Sequence, residues 1–167
     1  MNRDDIVAKM ALREREIFEK YKDTYPFPIK EYIEELEIEI ISHKDDEQAG
    51  ITKKNDRFYI IISGKYLEKE TSLENKAALQ TLLSHELMHY FFDQDQFTEN
   101  GNLYFEDQVN HCGRITNIRS WSFLMPPNVF RKKRNELVSL KKVAEYFMMP
   151  LSVVKDYSRY VDGKVQL

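Results

Sequence analysis

From Leu79 to Phe92, apolar residues recur every three or four positions, with Leu79, Leu82, Leu83 and Leu87 forming one stripe. That period predicts a helix buried along one side. Thr71-Ser72-Leu73-Glu74 precedes it as a capping-box pattern, with Thr71 at the N-cap and Glu74 reaching back. Upstream the period changes: Leu36, Ile38 and Ile40 alternate with Glu35, Glu37 and Glu39, as in a half-buried strand. Arg57 to Ile62 reads as a second strand, rich in aromatic and β-branched residues and ended by Ser63-Gly64, and Gly50 borders another short one. Residues 3–22 carry Ile6, Met10, Leu12, Ile17 and Tyr21 near one side of a helix, which Tyr25-Pro26-Phe27-Pro28 breaks. Pro28 then opens a short helix with Ile29, Tyr32, Ile33 and Leu36 inward.

Beyond Phe92 the acidic, polar residues Asp93, Asp95, Glu99, Asn100 and Gly101 predict a loop. Residues 103–125 predict a helix weakened at Gly113 and stopped by Met125-Pro126-Pro127. Residues 128–136 carry the basic run Arg131-Lys132-Lys133-Arg134. Ser139 is placed to cap a helix with Leu140, Val143, Ala144 and Phe147 on one face, and Pro150 opens a last one with Leu151, Val154 and Tyr157. The order predicts an α+β fold, a small mixed or antiparallel sheet packed on helices, followed by a C-terminal helical pair. A core over residues 1–127 and a helix-turn-helix-like extension over 128–167 are expected.

Composition narrows the function classes. A length of 167 residues suits one domain, or one with a small appendage. A net charge of −3 gives no global polyanion-binding signature. Cys112 is the lone cysteine, so no internal disulfide can form. Met1-Asn2-Arg3-Asp4-Asp5 lacks the apolar core of a signal peptide, and no apolar run approaches the roughly 20 residues of a membrane span. A cytoplasmic protein without a membrane partner is expected.

The chemistry concentrates in His85-Glu86-Leu87-Met88-His89. Residues four apart on a helix lie one above the other, so both imidazoles leave the same face and can grip one divalent ion. Glu86 follows the first histidine, where a carboxylate can take a proton from a metal-bound water. The bland alternative is a buried helix with two hydrogen-bonded histidines. His43 and His111 are the remaining histidines; His43, on a charged stretch after a strand, reads as solvated.

Several features in order resemble the ImmA/IrrE family of zinc-dependent, zincin-like metallopeptidases. They are a short strand near Gly50, the strand Phe58 to Ile62, Ser84-His85-Glu86-Leu87-Met88-His89, the segment Phe123-Leu124-Met125-Pro126, and the tail Leu140 to Phe147. The likeness covers roughly residues 1–160 and implies a cytosolic endopeptidase that cleaves helix-turn-helix repressors of mobile elements or stress regulons. It implies Zn2+, with Mn2+ as the alternative, on His85, His89 and a third ligand, with Glu86 catalytic. The family's third ligand is a glutamate thirteen residues before the proline; Gly113 stands there, beside a matching Thr116-Asn117. His111, then Asp107 or Glu106, or no protein group at all, are the readings of that position. Cys112 reads as a small buried residue or, less well placed than His111, a thiolate ligand.

Two other classes remain. Residues 131–160, with Lys141 and Lys142, have helix-turn-helix spacings and could bind DNA, although a Met replaces the usual turn Gly. The missing glutamate also fits an anti-repressor that binds its partner without cutting it.

Overall fold

A computed structural model of the chain describes residues 2–43, 49–68, 72–93 and 111–164, without the side chains of His111 and Cys112. The fold is α+β, with eight α-helices and a three-stranded mixed sheet among the described residues.

The expected single helix over 3–22 is two, α1 (Arg3–Val7) and α2 (Leu12–Tyr21). Local polar groups make the break. The Ala11 N–H donates to the Glu14 carboxylate at 2.6 Å, and the Arg15 guanidinium donates to the carbonyls of Met10 and Ala8. Met10 is buried while Leu12 turns outward, 74% exposed. α3 (Ile29–Glu35) follows Pro28 and buries Ile29, Tyr32 and Ile33 as expected.

The strand anticipated from Leu36 begins later, at β1 (Glu39–His43). A helix C-cap overrides the alternating pattern. The Glu37 N–H donates to the Glu34 carbonyl, the Ile38 N–H to that of Ile33, and Glu37 takes a left-handed φ of 61°. β2 (Gly50–Lys54) starts at Gly50 and returns through Asn55-Asp56 into β3 (Arg57–Ser63). Both turn residues have positive φ, which matches the right-handed strand twist in a two-residue hairpin. β3 is central, parallel to β1 and antiparallel to β2.

α4 (Leu73–Phe92) packs against α3 and β2, and Leu83, Leu87 and Met88 join Ile33, Ile51, Ile60 and Ile62 in the core. Its N-cap is Ser72, whose Oγ accepts from the Asn75 N–H at 3.1 Å; the expected cap, Thr71, lies outside the described residues. The expected loop after Asp93 and the start of the helix predicted over 103–125 also lie there. That helix is described as α5 (His111–Leu124), and it packs along α4.

Residues 128–136 fall in a helix that the charge run concealed, α6 (Pro127–Leu137), with Pro127 in its first turn. α7 (Leu140–Phe147) and α8 (Leu151–Val161) complete the chain. Val143, Phe147, Val154 and Tyr157 are inward, and Leu151 is partly exposed at 37% rather than inward. α6 to α8 share a core cluster with Phe27, Phe123 and α4, and Gln80 on α4 donates to the Phe147 carbonyl at 3.0 Å. No helix among the described residues is long and apolar enough to cross a membrane.

Candidate metal centre

The 3.6-residue period of α4 brings His85 and His89 together, with Nε2 atoms 3.2 Å apart. Each ring is held by its other nitrogen. The His85 Nδ1–H donates to Asn117 Oδ1 on α5 at 2.9 Å, and the His89 Nδ1–H donates to Asp93 Oδ2 at 2.6 Å. With the Nδ1 protons so assigned, both Nε2 atoms turn lone pairs toward each other, an arrangement suited to a shared metal cation. Two nitrogens bound tetrahedrally at about 2.05 Å are separated by about 3.3 Å, so the observed spacing fits a zinc-sized ion.

Burial shapes the electrostatics. His85, Glu86 and His89 are 3%, 3% and 1% exposed, well inside the protein. Burial first, and then the neighbouring His89, push the His85 imidazole down to about 4, against the weaker support of Asn117 and Asp93. His85 is therefore neutral near pH 7, the state a metal ligand requires.

α5 is fixed against α4 by a seam of small polar residues. The Ser84 and Ser120 hydroxyls meet at 2.6 Å, both fully buried, one residue before the His85–Asn117 contact on α4. Residue number rises along α4 as it falls along α5, so the helices run antiparallel. Gly113, one turn before Asn117 on α5, is buried.

Thus His85 and His89 meet within one turn of α4, as the motif requires, and Glu86 is buried on the same turn. His111 opens α5, but its side chain, like Glu106 and Asp107, lies outside the described residues. Among the described residues, no three His, Cys, Asp or Glu side chains converge as a metal site. His43 ends β1, exposed, beside Ser63 on β3. The basic run is largely engaged within the protein. Arg131 donates to the Val161 carbonyl, Arg134 binds Ser158 and Asp162, and Lys133 pairs with Glu136 and sits over the Tyr146 ring. Two site residues escaped sequence reasoning as hydrogen-bond partners. Asp93 carried a signal, four residues after His89; Asn117 stood out only as a neighbour in the family motif.

The chain matches no protein-family model, no curated protein and no solved structure.

Proposed function

We propose that this chain is a cytoplasmic, zincin-like zinc endopeptidase that inactivates a helix-turn-helix transcriptional repressor of a mobile element or stress regulon. One observation carries the reading: two buried imidazoles face each other at 3.2 Å, each with its outer nitrogen on an orienting acceptor. His85 and His89 would hold Zn2+, or Mn2+ in its place. His111 is the first candidate for the third position, ahead of Asp107 and Glu106. A bound zinc supplies an acidified water and polarises the scissile carbonyl. Glu86, buried in the same turn, takes the proton from the attacking water and returns it to the leaving amine. β1 and β2 are the outer strands of the sheet among the described residues, and an extended peptide can add to such an edge. The repressor substrate rests on the ImmA/IrrE likeness alone.

The test combines metal analysis of the purified protein with incubation against the helix-turn-helix repressor encoded nearest to it, followed by mass spectrometry. Stoichiometric zinc and a single cleavage, lost in Glu86→Gln with metal retained, is the expected result. Full cleavage by Glu86→Gln would remove the assigned role.

Gly113, where the resemblance calls for a glutamate, favours a second reading, an anti-repressor that binds without cutting. Release of the repressor from its operator by wild type and Glu86→Gln alike, with the repressor intact, would select it.

A further inference from the structure

The two imidazoles are not held alike. His89 is oriented from within its own helix, since Asp93 lies one turn on and next to the end of α4. His85 is oriented from outside it, by a neutral amide on α5. Half of the pair is therefore set by α4 alone, and the other half exists only while α5 is docked in register. The Ser84–Ser120 hydroxyl contact, fully buried, holds that register next to the His85–Asn117 bond.

We infer that Asn117 is a positioning residue through which the docking of α5 sets the metal affinity of the site. The inference rests on the metal-site reading of His85 and His89. Asn117 Oδ1 accepts the His85 Nδ1–H, which fixes the tautomer with its lone pair on Nε2 and holds the ring toward His89. Without that acceptor, His85 can turn its ring or move its proton to Nε2, and either change removes a ligand. Asn117 sits on the far side of the ring from Nε2, so it acts through His85 and does not itself bind the ion.

The experiment uses the full chain, stripped of metal, and Co2+ or Zn2+ alone as the probe. Affinity is measured by competition with a chromophoric chelator, and the visible spectrum of bound Co2+ reports the ligand field. Asn117→Ala is expected to weaken binding by about 10- to 100-fold and to alter the Co2+ spectrum. Asn117→Asp retains an acceptor and is expected to keep wild-type affinity or exceed it, whereas a merely structural role would not separate these variants by affinity. Ser84→Ala, which removes the hydroxyl that meets both the hydroxyl and the backbone carbonyl of Ser120, should weaken binding in the same direction. If Asn117→Ala folds poorly, the Asn117→Asp and Ser84→Ala measurements carry the test. Wild-type binding that all three variants match would overturn the positioning role and leave the metal site standing. No stoichiometric binding by wild type would overturn the metal-site reading itself, and the inference with it.

Discussion

Acidifying the metal-free protein from about pH 7.5 to about pH 5 should lower its stability by about 2 kcal/mol through His85 alone. The imidazole is 3% exposed, and its pKa falls from the ordinary 6.5 to about 4, first because burial disfavours the cation and then because His89 is beside it. The unfolded chain takes up the proton as pH drops through 6.5, while the folded chain resists until about 4. Between those values the unfolded state binds more protons, so stability is lost as pH falls, at up to about 1.4 kcal/mol per pH unit. At pH 5 only part of that window has been crossed, which gives the figure of about 2 kcal/mol. The carboxylates of Glu35, Glu37 and Asp162 are held below their ordinary range by Lys20, Arg13 and Arg134 respectively. Their contributions are present above the ordinary carboxylate pKa and disappear only at lower pH, so they stay outside the comparison. Urea unfolding with a chelator present should show the midpoint moving down by about 1 M. His85→Asn should lose most of that pH dependence. An equal acid effect in both proteins, or a change below about 0.5 kcal/mol in wild type, would refute the buried, neutral His85.

Arg3→Ala should destabilise the fold by about 3 kcal/mol in urea unfolding, because the guanidinium binds the Phe123 and Lys22 carbonyls within a cage of Phe18, Tyr25, Phe27 and Phe123. A loss under about 1 kcal/mol would show that the cage holds without it. Gly113→Glu puts a carboxylate on α5 one turn before Asn117 and should tighten Zn2+ binding on the order of tenfold in chelator competition. Unchanged affinity would mean that a third protein donor is already supplied from elsewhere. Ser72→Ala should cost about 1 kcal/mol in thermal unfolding by removing the acceptor at the start of α4; no change would assign the cap to another residue.

The parts legible in the sequence were those with a strong local cause. α4 combined an apolar stripe with the histidine spacing, β3 was dense in β-branched residues, and Pro28 and Pro126-Pro127 marked helix ends. The misreadings came where a polar or backbone detail overrode periodicity. Leu36 to Ile40 alternates like a strand, but the cap at Glu37 keeps Leu36 at the end of the preceding helix. Ile6 to Tyr21 keeps helical spacing across a break made by Glu14 and Arg15 side chains. α6 was hidden because its cations face α8 and Tyr146, contacts between residues far apart in the chain. The same reason separates the two orienting groups of the site. Asp93 lies within reach along one helix, whereas Asn117 is 32 residues from His85 and meets it only once α5 is in place.

The bond from Gln80 to the Phe147 carbonyl bears on how the chain could be cut. A fragment stopping at residue 127 would strip the partner from a buried amide in the histidine-bearing helix and uncover the aromatic wall that Phe130, Phe147 and Tyr157 fill. Such a fragment should aggregate on expression, and adding residues 128–164 back in trans is the route by which its solubility would return.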